Sequence, residues 1–225
     1  MKQNSKDLFQ DDYFENRLFN DSKRLTSFDL EKRFLLENKV DFKTNVCDVG
    51  CSTGEFLEYL SWSGKRFGME INDQARTIAE GHSIDFNKTI LTETNFFDVV
   101  IFRGTIQHID DPFNYVAKAT DSLKSGGILA FLATPNIESI YFRLFNDLPA
   151  LEKAKCYFLP GRQHLQNLCE RQGLDLQASS TPYIGSGYEK PFRDYLTFMV
   201  RLVLRSYKLS NPFPGNMMNL IFRKP

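Results

Sequence analysis

Gly50-Cys51-Ser52-Thr53-Gly54 follows a short strand-favouring run, Val46–Val49, and precedes Phe56, Leu57 and Leu60, apolar residues at helical spacing. The pattern is strand, tight loop, helix. Glycine at both ends of the loop tolerates positive φ and lets a ligand reach bare backbone, while the first helical amides aim their positive dipole end at it. The loop therefore reads as an anion cradle. Glu70 closes the next strand-like run, Arg66–Ile71, twenty positions after Gly50, where its carboxylate can accept hydrogen bonds from neighbouring hydroxyls. Arg103 follows the continuous apolar run Phe96–Phe102, and His108, just beyond it, offers an imidazole that exchanges a proton near neutral pH.

These groups need a common support. An apolar run broken only by Asp98 predicts a central strand buried on both faces, and the strand–helix alternation around it predicts a parallel sheet. In open parallel sheets ligands sit beyond the carboxyl ends of the strands, so Gly50, Glu70 and Arg103 should converge on one crevice. The loop is not the dinucleotide fingerprint G-x-G-x-x-G, whose three offsets hold Gly50, Ser52 and Glu55 here. A carboxylate at the third offset would sit where helix and strand must pack closely near a pyrophosphate, which argues against NAD or FAD.

Asp48-Val49-Gly50-Cys51-Ser52-Thr53-Gly54 instead resembles the first motif of the class I S-adenosylmethionine-dependent methyltransferases, with Ser52 where that family usually has glycine. Arg103-Gly104-Thr105-Ile106-Gln107-His108-Ile109-Asp110-Asp111-Pro112 resembles the family's segment after the fourth strand, where a histidine precedes an acid and a proline. Thr134-Pro135-Asn136 resembles a motif of a subgroup acting on small molecules and sugars. The resemblance covers residues 46 to 180. It implies a Rossmann-like, doubly wound, mostly parallel seven-stranded α/β sheet with a final antiparallel strand. It also implies S-adenosyl-L-methionine as cofactor and S-adenosyl-L-homocysteine as product. The cofactor would meet Asp48, Gly50, Cys51, Ser52, Thr53, Gly54, Phe56, Glu70, Ile71, Asn72, Phe102, Arg103 and Gly104, with Glu70 on the ribose. Asp85 and Phe86 would flank the adenine. His108 becomes the candidate base for a hydroxyl acceptor, ahead of His82 and His164.

The charged leader with scattered aromatics, residues 1–40, predicts one or two amphipathic helices, and in the resembling family such a leader caps the cleft, which would bring Tyr13 and Arg17 to ligand. Residues 41–225 form the catalytic domain. Asn72 should cap a helix ending before Gly81, Ser83–Phe86 should be a brief third strand, and Asp110 or Asp111 should cap a helix ended by Gly126-Gly127. Ile128–Ala133, Leu174–Ala178 and Met217–Phe222 supply the last strands. An apolar helix near 191–206, in an insertion at about 190–207, is expected to roof the substrate pocket, with a membrane or dimer contact as the other possibility.

The chain has 225 residues, 28 basic and 28 acidic, and 21 phenylalanines. That length suits one domain. Zero net charge argues against a nucleic-acid partner; the resemblance implies a small-molecule substrate, and a monomer or homodimer is expected. Four cysteines without a C-x-x-C pair argue against structural zinc and secreted disulfides and favour a reducing cytoplasm. No apolar leader or membrane-length stretch is present in the sequence. Asp110 and Asp111 have a capping explanation, so no metal is expected. Two rival readings stay open: a catalytically silent partner that binds the cofactor, and an NAD-dependent oxidoreductase.

Overall fold

The computed structural model describes residues 22–149, 151, 155–204 and 210–225. Its strands are β1 (Val46–Val49), β2 (Arg66–Met69), β3 (Phe97–Arg103), β4 (Leu123–Pro135), β5 (Asp175–Ser180) and β6 (Met217–Arg223). They form one sheet in the order β2-β1-β3-β4-β6-β5. β1 pairs in parallel with β2 and β3, β3 with β4, and β6 runs antiparallel to both β4 and β5. The direction of winding reverses between β1 and β3, so the crevice of such a sheet lies beyond the ends of those two strands.

Among the described residues the sheet has six strands, not the expected seven. Ser83–Phe86 contributes a single parallel bridge, Phe67 to Asp85, with Asp85 N donating to Arg66 O and Gly68 N donating to Asp85 O, both at 2.9 Å. Ser83 enters it at φ +59°, and Asp85 Oδ1 accepts from Asn87 N at 2.8 Å, which turns the chain away at once.

Alternate residues on the strands feed two cores. Val100, Phe102, Leu129, Phe131, Leu220 and Phe222 face α4 (Pro112–Ser122) and α6 (Arg162–Arg171). Val99, Ile101, Ala130, Leu132 and Ile221 face α1 (Ser22–Glu37), α2 (Glu55–Tyr59) and α3 (Asp73–Gly81). α1 puts Phe28, Phe34 and Leu35 into the second core, so this part of the leader shares the core of the sheet. Tyr13 and Arg17 lie outside the described residues.

Asn72 caps α3 through a bond from Ala75 N, and Asp111 caps α4 through one from Asn114 N. α4 ends at Ser122, ahead of Gly126-Gly127, because Leu123 already pairs with Phe97. A smaller third core joins α5 (Ile140–Phe145), Leu148, Leu151 and Phe213 to Phe198 of α7 (Pro191–Leu204). α7 buries Asp194 and Arg201, while Phe192 and Val203 are 87 % and 76 % exposed. No helix among the described residues is long and apolar enough to cross a membrane.

Candidate functional site

The loop after β1 is held by β2. Gly50 N and Cys51 N both donate to Met69 O, at 2.7 and 3.1 Å, and Gly54 N donates to Cys51 O at 2.9 Å. Gly50 and Gly54 both sit at φ +77°, and Ser52 between them at +51°. A Cβ on Gly50 would lie 2.5 Å from Thr105 Cγ2, so only glycine lets the loop approach the turn after β3 this closely. Glu70, just past β2, accepts from Ser52 N at 2.9 Å through Oε2, and from Ile71 N and Asn72 N at 2.8 and 2.9 Å through Oε1.

These groups border one cleft of about 820 Å³. Of the residues singled out in the sequence, Gly50, Ser52, Glu70, Ile71, Phe86, Arg103, Gly104 and His108 line it. The others stand behind that wall. Asp48, Cys51, Thr53 and Phe56 are buried, and Gly54 is the left-handed cap of α2. Phe102 has no exposed surface and stacks on Phe131 at 5.4 Å, which makes it core. Asn72 spends its side chain on the α3 cap, and Asp85 is exposed and occupied with its own turn. His82 bonds Thr53 O at 2.9 Å, and neither it nor His164 lines the cleft.

Arg103 does not point free into the cleft. Its guanidinium donates twice to Glu31 of α1, and it lies over the rings of Phe28 and Phe56 at 4.4 and 5.0 Å. Glu31, Arg24 and Leu30 of α1 line the cleft as well, and none of the three was expected at the site. Arg76 was missed too; it lines the cleft with its guanidinium 4.6 Å from the centre of the Phe86 ring. A basic residue on the first turn of the helix after Glu70 was the available signal.

Burial pushes the Asp48 carboxyl up to about 7; nearby Arg103 opposes the shift, and Glu70 and Glu31 reinforce it. Asp48 Oδ1 and Ser52 Oγ are buried with no hydrogen-bond partner. Cys51 is buried beside them, and desolvation holds its thiol protonated, so it is no nucleophile.

At the other end His108 Nδ1 lies 2.9 Å from Lys155 O and Nε2 lies 3.2 Å from Gln107 Nε2. A carbonyl oxygen only accepts and an amide nitrogen only donates, which assigns the proton to Nδ1 and the lone pair to Nε2. That is the tautomer a base at Nε2 requires. The walls here include Tyr183 and Phe213, both buried. None of the described residues of α7 lines the cleft. The helix buttresses the segments that do: Tyr183 Oη donates to buried Asp194 at 2.9 Å, and Phe198 stacks on Phe213 at 4.3 Å. It is a brace behind the wall and not the roof expected from the sequence. Among the described residues no three His, Cys, Asp or Glu side chains gather as a metal site.

A family model described as "Methyltransferase domain" matches residues 15–179. The chain belongs to the methyltransferase-domain family. A tRNA U34 carboxymethyltransferase of Campylobacter hominis is 30% identical over 158 residues, 64% of this chain and 53% of that protein. A ubiquinone biosynthesis O-methyltransferase of Nitrosomonas europaea is 25% identical over 138 residues, 56% of this chain and 53% of that protein. The chain thus spans about half the length of these curated relatives. A solved SAM-dependent methyltransferase from Archaeoglobus fulgidus shares the fold at a TM-score of 0.60 and 17% identity, over 88% of this chain and 94% of that one.

The cofactor of this methyltransferase-domain family is S-adenosylmethionine, and the residues present fit it. Gly50 brings bare backbone to the cleft, Ser52 beside it holds a buried oxygen without a partner, as does Asp48 behind the wall, and Glu70 offers a carboxylate one strand over. The glycine loop would hold the amino-acid tail, Glu70 the ribose, and Phe86 with Arg76 the base.

Proposed function

We propose that the chain is an S-adenosylmethionine-dependent methyltransferase that methylates a hydroxyl oxygen on a small molecule such as a sugar or a quinone-like ring. The observation that carries this reading is the single cleft shared by Gly50, Ser52 and Glu70 at one end and His108 at the other. At about 820 Å³ it lies in the upper part of the range of ligand pockets, about 300 to 1,000 Å³. A nucleoside and a small acceptor can share it.

When bound, the cofactor supplies an electrophilic methyl group. Displacement at such a centre needs little covalent help, so the chain's work is to align the acceptor and exclude water. His108 Nε2, with its proton on the opposite nitrogen held by Lys155 O, is the group proposed to take the acceptor's hydroxyl proton. Gln107 holds that lone pair in position until a hydroxyl takes its place. Balanced charge supports a neutral small acceptor over a polyanion, and four free thiols support a reducing compartment such as the cytoplasm.

Calorimetric titration with S-adenosylhomocysteine and, separately, NADH tests the nucleoside. Micromolar binding of the first and none of the second is expected; the reverse makes the chain an oxidoreductase. A screen of hydroxylated acceptors with methyl-labelled cofactor follows. Binding without transfer to any acceptor class marks the silent partner instead.

A further inference from the structure

We propose that Asn216 and Gln107 hold the acceptor, and that it is a flat ring bearing two oxygen substituents, at least one of them a hydroxyl. This rests on the methyltransferase reading and narrows its substrate. Asn216 borders the cleft and is 4 % exposed, yet neither Oδ1 nor Nδ2 has a hydrogen-bond partner. Its backbone is fixed, N donating to Phe213 O at 3.2 Å and O accepting from Asn136 N at 2.8 Å, so the turn holds the amide in place.

Gln107 borders the same cleft and is also 4 % exposed. Its Nε2 donates to Gly104 O at 2.9 Å and faces His108, which settles which end of the amide is which and leaves Oε1 buried without a partner. Buried amide atoms left unpaired cost free energy, so two such groups in one cleft point to a ligand that completes them.

The chemistry of the two amides defines what completes them. Gln107 Oε1 can only accept, so it orients the hydrogen of the hydroxyl that His108 Nε2, beside it, then deprotonates; Asn216 can donate and accept, so it takes the second oxygen, a hydroxyl or a carbonyl. Gln107 follows β3 and Asn216 precedes β6, the two strands that flank β4, so the amides border the cleft from either side of that strand. One six-membered ring with an oxygen directed to each side suits that placement. Tyr183, Phe213, Pro182 and Pro212 supply flat walls, two of them locked from behind by Asp194 and Phe198. Such walls would strand the remaining hydroxyls of a sugar, so the ring is an aromatic one carrying a hydroxyl and a second oxygen.

The test uses the full ¹⁵N-labelled chain, with and without S-adenosylhomocysteine, titrated with catechol, hydroquinone, veratrole and methyl glucoside. Spectra of Asn216→Ala and Gln107→Ala assign the two side-chain amide signals. Saturable movement of both signals with a dihydroxybenzene, and neither with veratrole nor with the glucoside, is expected. Asn216→Ala should weaken dihydroxybenzene binding at least tenfold while S-adenosylhomocysteine affinity stays within twofold. Still signals with both dihydroxybenzenes, equal movement with veratrole, or a response to the glucoside alone overturns the proposal. Should an alanine variant fail to fold, Asn216→Asp or Gln107→Glu, which keep the side-chain shape and remove the amide nitrogen, assigns the signal in its place. Failure to bind S-adenosylhomocysteine is read separately and strikes the nucleoside assignment, not the amides.

Discussion

Glu31 on α1 and Arg103 at the end of β3, 72 positions apart, meet through two hydrogen bonds, Nε to Oε2 at 2.6 Å and Nη2 to Oε1 at 3.1 Å. The Glu31 side chain is 4 % exposed and that of Arg103 is 20 %. The pair ties the leader helix to the end of β3 at the cleft that both residues line.

Removing one partner of a buried pair leaves an uncompensated charge, which costs about 3 kcal/mol. Glu31→Ala should lose roughly that much in urea unfolding, and Glu31→Leu with Arg103→Met should recover most of it. A single variant as stable as the wild type would show that the pair does not hold α1.

Gly50→Ala should weaken S-adenosylhomocysteine binding at least tenfold by calorimetry and lower the melting temperature. Two causes act together: a left-handed backbone that costs an alanine about 1–2 kcal/mol, and the contact with Thr105. Adding Thr105→Ala relieves only the second, so the double variant should regain part of the stability and not all.

Asp48 gives stability a pH signature. Its carboxyl titrates near 7 when folded, because burial disfavours the charged form, and near 3.9 in an unfolded chain. The folded state thus binds the extra proton between those values, so this contribution is complete below about 4 and is lost as pH rises through about 7. Wild-type unfolding free energy should carry this downward slope from pH 5 to pH 8, and Asp48→Asn should flatten it. Parallel slopes would mean that Asp48 titrates normally.

His108→Ala should cut turnover roughly 10²–10⁴-fold, the range for a lost general base, with S-adenosylhomocysteine affinity unchanged. Equal turnover would remove His108 from the mechanism.

What could be read from the sequence was local. The glycine loop, the strands on either side of it and the Asn72 cap are written in consecutive residues, and the structure has them where the pattern puts them. Tertiary facts were silent. Nothing near Arg103 announces that its partner is Glu31, and the turn at Pro214–Asn216 gives no sign that its last side chain is buried in a cleft wall. Phe102 misled for a related reason: the strand end that approaches the ligand also alternates faces, and Phe102 falls on the core side. Ser83–Phe86 has the composition of a strand but is bounded by a left-handed serine and an aspartate turn, which leaves room for one bridge.

Counting lone pairs on Glu70 adds a last consequence. Oε1 already receives two backbone hydrogens and Oε2 one, from Ser52, so a single acceptor position is left. In the proposed ribose role, a vicinal diol would find one open acceptor position, and its second hydroxyl would compete with one of the three backbone amides. Because one of those amides belongs to Ser52, filling a sugar pocket there would draw on the same carboxylate that tethers the glycine turn.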